Sequence, residues 1–179
     1  MKHVIFGGDG FVGRHLAHKL VQEGQEVLVA DVAKSDLPHY ARARFVHCDV
    51  TKEEDVMKVE IGPDDMVYNM AAKMLSPLQI RSKRWEFFWP VNYYGAENIM
   101  KATARSGANR LVQFTTDMIY GHTVQSPQTE DHPAKPLGEY GKSKWATEQL
   151  AAEWRKQGMK ITIFRPRLII GPGRLGILE

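Results

Sequence analysis

The fold is indicated most clearly by residues Lys2–Asp31, KHVIFGGDGFVGRHLAHKLVQEGQEVLVAD. A short apolar run, Val4–Phe6, ends at two glycines, and apolar residues at helical spacing then predict a helix that Gly24 closes. Val27–Ala30 is a second apolar run, with Asp31 at its end. This order predicts one strand-helix-strand unit whose glycines form the turn between the first strand and the helix.

The glycines of this turn, Gly7, Gly10 and Gly13, follow a G-x-x-G-x-x-G pattern. Because glycine has no Cβ, such a turn can bend sharply and approach a ligand while the helix packs on the strand. The helix N-terminus then directs N–H groups at an anion, commonly a pyrophosphate. Asp31 follows Gly13 by eighteen residues, near the spacing of an acid that accepts hydrogen bonds from a ribose. The unit predicts a dinucleotide site, the alternative being a purely structural turn.

The composition is that of a globular protein, since 43% of the 179 residues are hydrophobic and 25% are charged. We therefore expect a single domain spanning residues 1–179. The net charge of +3 is small and the basic residues are scattered, which does not favour nucleic-acid binding. Cys48 is the single cysteine, which rules out a disulfide within the chain and argues against a zinc site. With no long apolar run and no signal-peptide pattern, we expect a cytoplasmic protein.

Strand and helix patterns alternate along the rest of the chain. Further strands are predicted at Arg44–Cys48, Asp65–Met70, Arg110–Phe114 and Ile161–Phe164, and helices from a Thr51/Glu54 capping box, over Asn92–Ser106 and over Glu139–Gln157. Alternation of this kind is typical of right-handed crossovers between parallel strands. The sequence therefore predicts an α/β fold, a doubly wound parallel sheet of Rossmann type with helices on both faces.

Two segments do not fit a simple strand or helix. In Met74–Trp89, arginines and lysine alternate with aromatic residues, which indicates either aromatics packed on the sheet or a second subunit, or arginines that meet an anionic substrate. Tyr120–Gly138 is a long loop with three prolines. Because structureless loops of this length are often functional, we expect it to form part of a rim over the site.

Tyr140 and Lys144 are one helical turn apart, so their side chains project from one helix face. A phenol titrates near pH 10, and a nearby ammonium favours the phenolate and lowers the phenol's pKa. The pair is therefore suited to acid-base chemistry on an alcohol or ketone. Thr116 follows a predicted strand at its carboxyl end, where ligands bind in open α/β sheets.

Taken together, these motifs resemble those of the extended short-chain dehydrogenases/reductases, and more narrowly the NAD-dependent epimerase/dehydratase branch that acts on nucleotide sugars. The matching segments, in the family's order, are Gly7–Gly13, Asp31, Asp49–Val50, Asn69–Ala72, Phe114–Gly121, Tyr140–Lys144 and Phe164–Pro166. The resemblance covers essentially the whole chain. It implies hydride transfer between a substrate carbon and the nicotinamide of NAD.

The resemblance also implies residue roles. Tyr140 matches the general acid/base, Thr116 the residue that hydrogen-bonds the same substrate oxygen, and Lys144 the residue that holds the nicotinamide ribose and lowers the tyrosine's pKa. The implied cofactor-binding residues are Gly7, Gly10, Phe11, Val12, Gly13, Asp31, Asp49, Val50, Ala71, Ala72, Tyr140, Lys144 and Pro166. Asp31 favours NAD, since its carboxylate would repel the 2′-phosphate of NADP. Lys34 or Arg14 could soften that preference.

Two departures from the family pattern bear on function. The dehydratases of the family carry an Asp-Glu pair after the threonine, and here Asp117 is followed by Met118, so we favour epimerisation or simple oxidoreduction. Family members also continue for well over a hundred residues beyond this length, with a C-terminal part that supplies most of the substrate pocket. We expect either a fragment that lacks the C-terminal substrate domain or a stand-alone cofactor-binding half.

The sequence leaves three hypotheses for the function of the chain. The first is an NAD-dependent epimerase or dehydrogenase acting on a nucleotide sugar. The second is a reductase or dehydrogenase of sterol-like or other small hydroxy compounds, and the third is a non-catalytic NAD-binding module. The resemblance also implies a possible homodimer through the helices Asn92–Ser106 and Glu139–Gln157, which Trp145 or Trp154 would line.

Overall fold

The computed structural model describes residues 1–74, 81–172 and 174. In this part of the chain, six strands form one sheet in which all neighbours run parallel. They are β1 (Lys2–Phe6), β2 (Glu26–Asp31), β3 (Arg44–His47), β4 (Met66–Asn69), β5 (Arg110–Phe114) and β6 (Lys160–Phe164). Their order across the sheet is β3-β2-β1-β4-β5-β6, which confirms the predicted doubly wound parallel sheet.

Helices cover both faces of the sheet. The α-helices of the described residues are α1 (Phe11–Gln22), α2 (Glu53–Met57), α3 (Arg84–Trp89), α4 (Gly95–Arg105) and α5 (Glu139–Lys156). Successive side chains of a strand point to opposite faces. Ile5 of β1 therefore packs with Leu20 of α1 on one face, while Phe6 packs in a second cluster with Ile99 of α4 and Ala151 of α5. Among these described helices, none is both long and apolar enough to cross a membrane.

The sheet order reverses at β1, whose neighbours are β2 and β4. In a doubly wound sheet, the loops on either side of such a point lead away in opposite directions and leave a crevice at the carboxyl ends of the strands. Here the loop after β1 and the loop after β4 are in close contact. A Cβ on Gly7, which has a φ of +74°, would lie 2.6 Å from the Ala71 Cα. The glycine is thus required both by its backbone conformation and by this approach.

Helix termini follow the sequence in some places and not in others. Gly24 ends α1 as predicted, with a φ of +74° and an N–H that donates to the Val21 carbonyl at 3.1 Å. The Thr51/Glu54 capping box is wrong, because Lys52 is the N-cap of α2. The Thr51 hydroxyl instead donates to the Asp49 carboxylate at 2.8 Å, and the N-cap Lys52 makes no side-chain capping hydrogen bond.

The helix predicted from Asn92 starts earlier than the sequence pattern indicates. α3 leads directly into a π-helical turn, Pro90–Tyr94, and then into α4, which ends at Arg105. Within α3, Phe88 is buried and its ring packs edge-on against Tyr140, with ring centroids 5.6 Å apart. Of the two interpretations of the aromatic segment, the contact of Phe88 favours packing of the aromatic side chains. Residues 75–80 of that segment lie outside the described residues.

Candidate functional site

The first turn of α1 presents backbone N–H groups at the end of β1. Its first intrahelical hydrogen bond runs from the Arg14 N–H to the Gly10 carbonyl, at 2.9 Å. The N–H groups that precede Arg14 in the helix have no intrahelical carbonyl to accept a hydrogen bond from them. Since the helix dipole also places positive charge here, the geometry suits a phosphate or another anion.

A cavity of about 490 Å³ extends from this turn along the carboxyl ends of β2 and β4, and we call it the glycine-turn cavity. Its lining residues are Gly7, Asp9, Gly10, Ala30–Ala33, Cys48–Thr51, Met70–Lys73 and Val91. The fold thus brings together the predicted cofactor-binding residues Gly7, Gly10, Asp31, Asp49, Val50, Ala71 and Ala72. Segments that are distant in the sequence meet here because four parallel strands end at the same edge of the sheet.

Two carboxylates of this cavity are held by hydrogen bonds. The Asp31 carboxylate accepts the Asp9 N–H at 2.9 Å and the Ala33 N–H at 3.3 Å. Asp49 accepts the N–H and the hydroxyl of Thr51, at 3.0 and 2.8 Å. Burial opposes the charge of Asp49, but the bonds from Thr51 outweigh it and lower the pKa of this carboxyl. The cavity therefore presents oriented acceptors, as recognition of ribose hydroxyls requires.

A second cavity, of about 120 Å³, contains the predicted catalytic residues, and we call it the tyrosine cavity. It is lined by Val12, Met70, Ala72, Met74, Phe114–Thr116, Tyr140, Lys144, Pro166–Ile169 and Arg174. Thr116, Tyr140 and Lys144 therefore converge, together with the predicted cofactor-binding residues Val12 and Pro166. Because Met70 and Ala72 line both cavities, the two are neighbouring parts of one crevice.

Two predicted cofactor-binding residues, Phe11 and Gly13, line neither of these described cavities. Gly13 lies against the turn itself, where an added Cβ would lie 2.6 Å from the Gly8 Cα. The Phe11 ring is approached by two guanidinium groups, with Arg14 at 5.5 Å and Arg174 at 5.6 Å from the ring centroid. In the structure, both residues therefore contribute packing around the site.

The tyrosine differs from the sequence-based prediction in its acidity. Burial raises the pKa of the Tyr140 phenol, and the nearby Thr116 hydroxyl and Arg174 guanidinium act in the opposite direction without outweighing it. The buried Lys144 ammonium donates to the Phe114 carbonyl at 3.2 Å. The predicted lowering of the tyrosine's pKa by Lys144 is thus wrong for this state of the chain, in which the phenol is protonated at neutral pH.

Burial also lowers the pKa of the Lys144 ammonium, to about 8. Between this value and the ordinary lysine pKa near 10.5, the unfolded chain binds more protons than the folded one, so stability rises with pH across that window. We expect Lys144→Met to remove a rise of about 2 kcal/mol in the free energy of unfolding between pH 8 and pH 10. Urea unfolding at pH 8 and pH 10 measures it.

The matched control for this measurement is Lys142→Met, because Lys142 lies on the same helix with its side chain 49% exposed. The control should keep the pH dependence of the unmodified chain. An equal rise with pH in the chain and in Lys144→Met would contradict the assignment.

An ion pair beside the site, between the buried Glu148 and the partly buried Arg165, was not predicted from the sequence. Arg165 donates to both carboxylate oxygens of Glu148, at 2.7 to 3.1 Å, and to the Tyr120 hydroxyl at 2.6 Å. Glu148 also accepts the Thr115 hydroxyl at 2.7 Å. Since Thr115 and Arg165 precede Thr116 and Pro166, this network fixes the ends of β5 and β6 that line the tyrosine cavity. Its signal in the sequence is only a glutamate one turn after Lys144.

Asn92 is a second residue that the sequence analysis missed. Its side-chain oxygen accepts the Lys73 N–H at 2.9 Å, and its amide nitrogen donates to the Lys73 carbonyl at 3.1 Å and to the Ser143 hydroxyl at 3.2 Å. Its own carbonyl accepts the Thr147 hydroxyl at 2.8 Å. Asn92 thereby ties the loop after β4 to α5, the helix that carries Tyr140. Only an asparagine after Pro90-Val91 marks it in the sequence.

The loop Tyr120–Gly138, predicted to form a rim over the site, lies to one side. Its residues Thr123 and Ser126–Glu130 line a third cavity, of about 1170 Å³, together with the edge strand β6. This cavity shares Pro166 and Arg167 with the tyrosine cavity. The cavity that the loop lines therefore adjoins the tyrosine cavity at Pro166 and Arg167, which belong to the segment after β6.

The parallel sheet, the glycine turn at its reversal point and the acid at the end of β2 define a dinucleotide-binding domain of Rossmann type. A sequence model of the NAD dependent epimerase/dehydratase family matches residues 3–176. The chain belongs to this family.

Relatives with known activities support the same class. The UDP-glucose 4-epimerase of Lactobacillus helveticus is 29% identical, over 92% of this chain and 51% of its own length. UDP-glucuronic acid decarboxylase 1 of Arabidopsis thaliana is 30% identical, over 98% of this chain and 42% of its own length. The chain thus spans about half the length of the curated relatives it matches.

Solved structures show the same fold. A UDP-galactose 4-epimerase superposes with a TM-score of 0.81 at 26% identity, over 96% of this chain and 59% of that one. The Bordetella bronchiseptica enzyme WbmG, solved in complex with NAD, superposes with a TM-score of 0.78 at 28% identity, over 96% and 56% of the two chains. The family and fold predicted from the sequence are thereby confirmed.

Proposed function

We propose that this chain forms the NAD-binding part of an epimerase or dehydrogenase that acts by hydride transfer on a hydroxyl-bearing substrate, a nucleotide sugar. The observation that carries the proposal is the convergence of Thr116, Tyr140 and Lys144 on a cavity that shares Met70 and Ala72 with the glycine-turn cavity. A module that only bound NAD would have no need of all three polar side chains at that place.

The residues present fit NAD. The first turn of α1 offers N–H groups to the pyrophosphate, with Gly7 and Gly10 beside it. Asp31 and Asp49 offer carboxylates to the adenosine half, while Ala71, Ala72 and Val50 leave room between them. Val12, Lys144 and Pro166 lie at the other end of the crevice, where the nicotinamide half would be held. When bound, NAD supplies reversible hydride transfer to or from a substrate carbon.

The chain's own contribution is to move a proton. Because burial keeps the Tyr140 phenol protonated, its Oη can donate a proton to a substrate carbonyl oxygen during reduction and recover it during oxidation. Thr116 lies beside it with its hydroxyl oriented by the Met118 N–H at 3.2 Å, so it can hold the same substrate oxygen.

Epimerisation or simple oxidoreduction is favoured over dehydration. Of the acid pair that the dehydratases carry after the threonine, only Asp117 is present here, and its carboxylate is 3.4 Å from the Arg167 guanidinium. The neighbouring Met118 has a thioether, which cannot carry a proton at neutral pH.

The substrate proposal draws on the nucleotide-sugar enzymes among the relatives. A homodimer through α4 and α5 remains a prediction, in which Trp145 is half-buried and Trp154 packs against the core.

The experiment that tests the cofactor assignment is Asp31→Ala. Removing the carboxylate should weaken NAD binding about tenfold, since hydrogen bonds to a charged acceptor are lost, while NADP binding should weaken less because a repulsion is lost as well. Calorimetric titration of both cofactors measures the two dissociation constants.

Asp36→Ala serves as the control for net charge, because Asp36 is an exposed residue five positions further along. It should leave both affinities unchanged. Equal losses for NAD and NADP in Asp31→Ala would remove Asp31 from the ribose-binding role.

A further inference from the structure

The glycine turn contains an acid, Asp9, that the proposed function does not use. Its carboxylate accepts the Ser35 N–H at 3.0 Å, the Ser35 hydroxyl at 2.6 Å and the Tyr40 hydroxyl at 2.6 Å. Its backbone N–H donates to the Asp31 carboxylate at 2.9 Å. Asp9 is therefore bonded both to the acid at the end of β2 and to the segment that follows this acid.

These bonds hold residues 32–40 against the glycine turn. Ser35 and Tyr40 reach Asp9 from two points of that segment, and the Tyr40 ring packs edge-on against Phe45 of β3 at 5.9 Å. Lys34 lies over both rings, with its ammonium 5.3 Å from the Tyr40 centroid and 5.5 Å from that of Phe45. The cation of this segment is thus placed over aromatic faces.

Asp9 is also negatively charged at neutral pH. Burial opposes the charge, but the hydrogen bonds from Ser35 and Tyr40 outweigh it and lower the pKa of the carboxyl. Asp9 and Asp31 both line the glycine-turn cavity, in which Val32 and Ala33 complete the same end. Two acidic residues therefore line the part of the cavity where a ribose would be recognised.

We propose that Asp9 is a second specificity-determining residue, which disfavours a phosphorylated ribose and so makes the chain select NAD over NADP. The proposal rests on the proposed function, in which this cavity holds the adenosine half of NAD. Asp9 acts in two ways. Its charge adds to the repulsion that Asp31 exerts on a phosphate, and its bonds keep residues 32–40 from opening to admit one.

The test is titration of NAD and NADP into the 179-residue chain and its variants, followed by intrinsic fluorescence and calorimetry. Asp9→Asn removes the charge with little change in shape and should lower the ratio of the NADP to the NAD dissociation constant about tenfold. Asp36→Asn removes an exposed acid from the same segment and should leave the ratio unchanged. An unchanged ratio in Asp9→Asn would overturn the proposal.

The double variant Ser35→Ala/Tyr40→Phe keeps the Asp9 charge and removes the two side-chain hydrogen bonds that hold the segment to it, so it also decides the matter if Asp9→Asn does not fold. It should lower the ratio about threefold, and an unchanged ratio would then overturn the proposal. If the unmodified chain binds neither cofactor, the proposed function itself fails. If it binds NAD and the variants keep its selectivity, only the role of Asp9 fails.

Discussion

Tyr140→Phe is expected to reduce the turnover of a nucleotide sugar by about 10²–10⁴-fold, because it removes the proton that a general acid must supply. The affinity for NAD should stay within about twofold, since the ring remains and packs against Phe88 as before. Steady-state kinetics gives the first quantity and calorimetric titration the second. The separation of the two effects is what identifies proton transfer as the role of this residue.

Tyr94→Phe is the matched control, because it removes the same atom from a side chain that is 43% exposed on the π-helical turn. Both turnover and NAD affinity should match those of the unmodified protein. Turnover retained in Tyr140→Phe would remove the tyrosine from the mechanism. A large loss of NAD affinity in this variant would instead indicate a binding role.

Gly13→Val is expected to weaken NAD binding at least about a hundredfold and to destabilise the chain by about 3 kcal/mol. A Cβ at this position would overlap the Gly7 carbonyl oxygen and lie 2.6 Å from the Gly8 Cα. These atoms are backbone, so α1 has to move away from β1, and the N–H groups at its start move with it. Urea unfolding and NAD titration measure the two effects.

Gly138→Ser provides the comparison, since a Cβ at Gly138 meets no described atom within 4 Å and its φ is −128°. Serine is also a favoured residue at a helix N-cap, the position Gly138 occupies before α5. Stability and NAD affinity should therefore be preserved in the control. Native NAD affinity in Gly13→Val would contradict the close packing of turn and helix.

The fold was predictable because its decisive signals are local. The glycines of Gly7–Gly13, the helical spacing of α1 and the acid at Asp31 lie within one continuous stretch, and strand-helix alternation then determines a parallel sheet. The convergence of Thr116 with Tyr140 followed from the resemblance to a family and not from spacing. The roles assigned to these residues remain predictions, as does the cytoplasmic location.

What the sequence could not give depends on contacts between distant segments. The Glu148–Arg165 pair joins α5 to the end of β6, and neither residue alone indicates a partner. The direction of the Tyr140 pKa is set by burial, with the side chain only 8% exposed, whereas the i,i+4 spacing to Lys144 suggested the opposite. The partner of an ion pair and the direction of a pKa shift depend on the environment of a residue in the fold, which a pattern of residue types does not reveal.

We expect the glycine-turn cavity and the tyrosine cavity to form one NAD site together. A crystal structure of the chain with NAD at saturating concentration tests it most directly. In that structure we expect adenosine beside Asp31 and Asp49, pyrophosphate at the start of α1 and the nicotinamide beside Tyr140 and Lys144. An empty crevice, or NAD bound with the Tyr140 hydroxyl directed away from it, would show that the two cavities do not form this site.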